Sequence, residues 1–459
     1  MLECLNKPRS FYRRLLYLSL PVIAQNLITT SLGFMDTFMV GLLGSDQMSA
    51  VTVANVPIFI IQLIVFGLQS GSSVLISQYW GKGDRESINR VIGIGFYVAG
   101  GISTLFALAM FFFPVGVLGL ITDNAHLIAL AEPYIQIVGF SYIFNALSSI
   151  YIGMQRSMEN PKFGMTVFAV STVCNTLGNY LLIFGKLGLP ALGIRGAAVA
   201  TLCSRILEFA ISFLYALRCR AMPLQIRHIL RPGMDVLRRF VKYSTPVLLN
   251  ETLWGTGTSL FTVIMGHMAL SEELIAAYTV AGGIDKLVTA SLFGVAAASA
   301  VIVGKEVGAG TSRKQVLSIG KALTVVSLCL GVLVGLTETG LYLLILRPHV
   351  LPLFRLSAVS AGICTLFIYA YSFAAPLNAF VTTVVVGVLR GGDVRCAMLI
   401  DILPLWLGTL PLLVLLGLVL DAPTALFCFA VAWEPLLKVP FGIRRLLGGK
   451  WIHDVTVSA

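Results

Sequence analysis

Long apolar runs separated by short polar breaks dominate this chain of 459 residues. About 20 helical residues cross the roughly 30 Å hydrocarbon core of a bilayer. Twelve runs reach that length, at 14 to 43, 51 to 80, 88 to 120, 127 to 155, 163 to 185, 192 to 217, 243 to 268, 274 to 304, 316 to 346, 357 to 389, 396 to 420 and 424 to 443. They are continuous and do not alternate at period two, so they predict spanning helices rather than barrel strands. The first run contains Pro21 and polar residues beyond it, and reads as a retained span rather than a cleaved leader.

The pattern repeats. Residues 50 to 83 recur at 277 to 310 without a gap, with Ala50, Thr52, Phe66, Gly67, Ser72, Gly81 and Gly83 reappearing as Ala277, Thr279, Phe293, Gly294, Ser299, Gly308 and Gly310. Gly153 and Arg156 return as Gly387 and Arg390. The predicted fold class is therefore an all-α membrane protein of two pseudo-symmetric six-helix lobes. Its expected domains are an N-lobe over 1–217, a basic cytoplasmic linker over 218–242 and a C-lobe over 243–459 with a short tail. Two similar bundles can open a central site to either side by rocking, which points to a transporter.

Composition agrees. A mean hydropathy of +0.90 with 12% charged residues excludes a soluble globule, whose charged fraction is about twice that. The net charge of +11 is no nucleic-acid footprint, because of where it sits. With the N-terminus inside, only Lys186, Arg195, Arg347 and Arg355 face outward, and Arg205 and Lys286 fall within spans. That bias places both termini in the cytoplasm of a multi-pass cell-membrane protein. The linker, with Arg220, Arg227, Arg231 and Lys242, is expected to meet anionic headgroups. Cys4, Cys174, Cys203, Cys219, Cys329, Cys364, Cys396 and Cys428 lack metal-ligand spacing and read as reduced packing residues. No metal centre, cofactor or enzymatic constellation is expected.

An ionisable group inside a span costs roughly 2.5 to 3.5 kcal/mol and is a functional candidate. Gln25, Thr29 and Asp36 lie within about 20° of one another on the first span, a polar stripe that suits a wet cavity. Asn175 and Asn179 stand one turn apart on the fifth, where their carbonyl oxygens suit a cation or a protonated carboxyl, and Thr201 on the sixth adds a hydroxyl. Such residues also glue helices together. Glu251, Trp254 and Thr258 share a stripe on the seventh span, and Asp401 stands early in the eleventh near Pro404. An acid beside an aromatic suits an organic cation; the alternative for these acids is a bond to Asn250 or to backbone freed by proline. Arg205 with Glu208 and Glu434 with Lys438 have the spacing of local ion pairs. Pro21 and Pro246 occupy matching places in the halves and are the expected hinges.

Several motifs, taken in order, carry a resemblance: Met35-Asp36-Thr37 with Val40-Gly41 and Leu43-Gly44; Gly153 to Met158; Asn179 to Gly185 continuing to Gly193-Ile-Arg-Gly-Ala-Ala and Thr201; and Val388 to Asp393. Together they resemble the multidrug and toxic compound extrusion (MATE) family over nearly the whole chain. The resemblance implies a V-shaped pair of lobes and export of amphipathic, often cationic organic compounds by exchange for H+ or Na+, with no other cofactor, in a monomer. It also implies an N-lobe cation site of Asp36, Asn175, Asn179 and Thr201, the first three suiting Na+. Gln25, Thr29, Glu251, Trp254, Thr258 and Asp401 are left as substrate-cavity residues. The family often has an acid where Asn179 stands and, in sodium-coupled members, one midway along the tenth span, where this chain has Asn378. The coupling ion is thus open. A lipid-linked saccharide flippase of related architecture is the alternative, although it calls for a basic cavity for pyrophosphate; a channel is another.

Overall fold

A computed structural model describes residues 5–351 and 356–457, so Cys4 and Arg355 lie outside the described residues. Twelve long helices follow one another: α1 (Arg9–Gly41), α2 (Ser45–Lys82), α3 (Arg85–Phe112), α4 (Ala125–Ser157), α5 (Pro161–Phe184), α6 (Ile194–Arg218), α7 (Met234–Gly266), α8 (Ser271–Gly308), α9 (Arg313–His349), α10 (Ala358–Gly391), α11 (Val394–Val419) and α12 (Thr424–Gly448). No strand occurs among the described residues. Eleven of the helices are long and apolar enough to cross a bilayer. The exception by composition is α7, whose first turns carry Asp235, Arg238, Arg239 and Lys242.

The helices depart from the hydropathy pattern in three notable ways. The third run breaks at Pro114, which starts a separate short helix, Pro114–Gly119, because proline cannot donate to the preceding turn. Helix α7 begins at Met234, inside the segment read as linker, leaving only a loop with the short helix Ile226–Leu230 before it. Several helices of the second half contain wide turns, at Tyr342–Val350 closing α9, Thr382–Val388 in α10, and Leu405–Thr409 and Leu415–Val419 in α11. Pro404 and Pro411 border those in α11, where each removes a backbone donor.

The internal repeat is visible in the backbone. Helices α2 and α8 are each 38 residues long. The glycines that close the repeat, Gly83 and Gly310, both adopt left-handed backbone, with φ of 75° and 74°. Non-glycine residues adopt that conformation at a cost.

The chain divides into two compact units, one formed by the described residues of Met1–Ile23 with Leu249–Ala459, the other by Ala24–Leu248. Both divisions fall two residues beyond a proline inside a helix, Pro21 in α1 and Pro246 in α7. Within the second unit, Gly67 of α2 lies so close to α7 that a Cβ there would stand 2.9 Å from the Leu248 Cα. Within the first, its repeat mate Gly294 of α8 lies equally close to α1, 3.1 Å from the Ser19 carbonyl oxygen by the same measure. The small-residue clusters beside these glycines serve the same close approach: Gly71 meets Ser244, and Ala296 and Ser299 meet Gly387 of α10. In the first unit the tail folds back, with Trp451 fully buried against Gly320 and its Nε1 donating to the Leu446 carbonyl at 3.1 Å.

Candidate functional site

In the Ala24–Leu248 unit, three helices bring the expected polar residues into one chain of hydrogen bonds. Asp36 sits about one turn before the end of α1, half-buried. Asn179 on α5 donates from Nδ2 to its Oδ1 at 2.6 Å and to the Oδ1 of Asn175, one turn earlier, at 3.1 Å. Asn175 donates in turn to the Thr201 hydroxyl on α6 at 3.4 Å and, at the limit of bonding, to the Ser204 hydroxyl at 3.5 Å. Ser204 is anchored to the Thr201 carbonyl at 2.8 Å. Helices α5 and α6 approach closely because Gly178 faces Ala200, where even a Cβ would come within 3.0 Å.

The arrangement leaves one group unsatisfied. Asn175 and Asn179 are almost wholly buried, yet Asn179 Oδ1 has no hydrogen-bond partner. A buried acceptor without a donor costs about 1 to 3 kcal/mol. Two changes would satisfy it. A cation beside Asp36 would take the oxygen as a ligand; alternatively, a proton on Asp36 would turn that carboxyl into a donor, and rotation of the Asn179 amide would present the oxygen to it. Ser204 was not apparent as a member from the sequence, since a serine one turn from Thr201 resembles any helix-packing serine.

Gln25 and Thr29 belong to the same unit. The amide of Gln25 lies against Gly164 of α5, and the hydroxyl of Thr29 is engaged by its own helix, donating to the carbonyls of Asn26 at 2.9 Å and Gln25 at 3.1 Å.

In the other unit, Glu251, Trp254 and Asp401 line one cavity of ≈ 380 Å³, together with Asp285, Lys286, Tyr371, Asn378, Arg390, Glu434 and Lys438. Thr258 is not among its lining residues; its hydroxyl donates to the Trp254 carbonyl at 3.0 Å. Two basic residues and the three acids they pair with dominate the cavity. Arg390 Nη1 lies 2.7 Å from Glu251, with both side chains largely buried. Lys438 Nζ lies 2.6 Å from Asp401 and also pairs with Glu434, while Asn250 Nδ2 donates to the second oxygen of Asp401 at 2.9 Å. Asp401 therefore has the bond to Asn250 that formed one of its two readings. The spacing of Glu434 and Lys438 announced their pair, and that of Arg205 and Glu208 announced another, present at 2.7 Å. Nothing in the spacing showed that Lys438 also reaches α11 or that Arg390 reaches α7.

With this geometry in hand, comparison with known proteins defines the class. The MatE family profile matches residues 21–181, a stretch that includes Asp36, Asn175 and Asn179. A probable multidrug resistance protein NorM of Thermotoga maritima is 23% identical over 407 residues, covering 87% of this chain and 84% of its own. The multidrug resistance protein MdtK of Edwardsiella ictaluri is 26% identical over 426 residues, 88% of each. Among solved structures, an outward-facing multidrug resistance MATE family transporter of the MOP superfamily superposes with a TM-score of 0.84 at 17% identity, covering 98% of both chains. The molecule is an all-helical, multi-pass membrane transporter and not an enzyme. The MatE match over 21–181, the multidrug resistance relatives and the shared helical fold together support a MATE-type transporter.

Proposed function

We propose that this transporter is a secondary antiporter that exports amphipathic, often cationic organic compounds across the cell membrane in exchange for H+ or Na+, with both termini in the cytoplasm. The observation that carries the reading is the Asp36–Asn179–Asn175–Thr201 chain with its unsatisfied Asn179 oxygen. It amounts to a carboxylate whose environment is incomplete until a proton or cation arrives. An ion drives transport only through different affinity for two states. In this scheme Asp36 takes the ion from outside and is neutralised, α1 bends near Pro21, and the substrate leaves outward. Release of the ion inward restores the carboxylate.

The multidrug resistance relatives support the substrate class. A flippase for a lipid-linked saccharide would need cationic groups free to hold pyrophosphate. In the cavity of the first unit, the Arg390 and Lys438 charges are engaged by Glu251, Asp401 and Glu434, which favours the organic-cation reading. The test is efflux of a fluorescent cationic dye from proteoliposomes under separately imposed H+ and Na+ gradients. Acceleration by either gradient is expected, and indifference to both would sink the exchange reading.

A further inference from the structure

One acid outside the sites above has no basic partner among the described residues. Glu338 of α9 is fully buried, neither carboxyl oxygen has a hydrogen-bond partner, and among the described residues no basic group pairs with it. The hydroxyl of Ser372 on α10 is likewise buried and unpartnered. Below them, Val288 and Leu292 of α8, Leu330 and Val334 of α9, and Ala375 and Ala379 of α10 pack as one apolar cluster. Asp285, Glu338 and Ser372 each stand about one turn from that cluster on the face their helix gives to it. The direction is the same in all three, since α9 runs opposite to α8 and α10. The topology thus gathers the three side chains into one polar layer, in which the carboxyls of Asp285 and Glu338 interact electrostatically and Ser372 stands beside Glu338.

The two acids differ in access. Asp285 lines the ≈ 380 Å³ cavity, and Glu338, fully buried, is not among its lining residues. Helix α9 packs tightly on α10 beside Glu338: at Gly335, one turn away, even a Cβ would stand 2.2 Å from the Ser372 carbonyl oxygen. A bare carboxylate in such a place costs several kcal/mol without a counter-charge, whereas a neutral acid needs only hydrogen bonds. The other ionisable groups facing the layer supply no cation to Glu338. They are Tyr278 on α8, Tyr371 on α10 and Cys428 on α12, while Lys286 is exposed in the cavity beside Asp285.

We propose that Asp285 and Glu338 form a second proton-binding site, within the Leu249–Ala459 part of the chain: Asp285 takes a proton from cavity water and passes it to Glu338, which holds it as a neutral acid. The proton adds to a carboxylate oxygen, the donating water keeps the matching charge, and no other bond changes. This rests on the antiport reading only for its use in transport; the site itself stands on the buried geometry. It adds an ion locus that does not involve Asp36.

Infrared difference spectroscopy of the purified protein in lipid tests the site without any transport. A carboxylic-acid carbonyl band is expected at neutral pH, lost in Glu338→Gln, shifted in Ser372→Ala and retained in Asp36→Asn. Absence of the band in the wild type, or its survival in Glu338→Gln, overturns the proposal. Should Glu338→Gln not fold, the Ser372→Ala shift decides alone, and an unmoved band overturns it. In proteoliposomes the protons taken up per exported molecule should fall about twofold in Asp285→Asn; an unchanged ratio overturns the relay. A band lost in Glu338→Gln in a protein whose efflux ignores both a proton and a sodium gradient supports the site and removes the exchange reading instead.

Discussion

Asp36 is the residue on which exchange turns, and its neutral isostere separates charge from shape. Asp36→Asn keeps side-chain volume and is expected to give a folded protein, by size-exclusion profile and melting temperature, with gradient-driven dye efflux reduced to the vesicle leak. Asn179→Ala removes the donor at 2.6 Å and the free oxygen together. A hydrogen bond to a charged group contributes about 1.5 to 3 kcal/mol, so the half-saturating concentration of the coupling ion should rise about tenfold or more, read from efflux against ion concentration. Asp36 was legible because a charge in an apolar run is costly and its stripe repeats at helical spacing. Glu338 carries the same cost signal, but the residues one turn away, Val334, Gly335, Leu341 and Tyr342, give it no polar stripe. Its environment exists only once α8, α9 and α10 are packed.

At the scale of helices, close approach and charge pairing make the testable contributions. A Cβ at Gly71 would lie 2.7 Å from the Ser244 Cα, a clash that only backbone movement relieves. Overpacking of this kind costs about 1 to 3 kcal/mol, so Gly71→Ala should melt several degrees lower, whereas Gly362→Ala, with nothing within 4 Å of the new methyl, should be close to wild type. Lys438 ties α12 to α11 through Asp401. Lys438→Met strands two buried acids, and loss of one partner from such a cluster costs about 3 to 5 kcal/mol. That variant should show the larger drop in melting temperature, partly restored by adding Asp401→Asn. The helices themselves were legible from hydropathy because a bilayer fixes their length. Their ends were less so: Pro114 interrupts an apolar run without adding polarity, and the start of α7 is charged enough to read as loop.

For the whole molecule, the distribution of basic residues implies an orientation that impermeant labelling can read. In a variant lacking the native cysteines, Gly188→Cys in the loop after α5 should react with an impermeant maleimide in intact cells, and Arg231→Cys only after permeabilisation; the reverse pattern would invert the topology. The repeat, the twelve long helices and the resemblance to MATE transporters were all visible before folding, since each is a pattern along the chain. How the chain parcels itself into units was not, because a helix that changes allegiance at a proline looks in sequence like any other helix. That allegiance has a consequence for dissection. Cutting the polypeptide in the loop between Cys219 and Gly233 would not release two self-sufficient halves, because the upstream fragment would carry away residues 5–23, whose Leu15 and Leu18 lie in the core of the downstream bundle, and would itself lack Met234–Leu248. Each fragment expressed alone should be degraded, and only synthesis of both together in one cell should rebuild a working molecule.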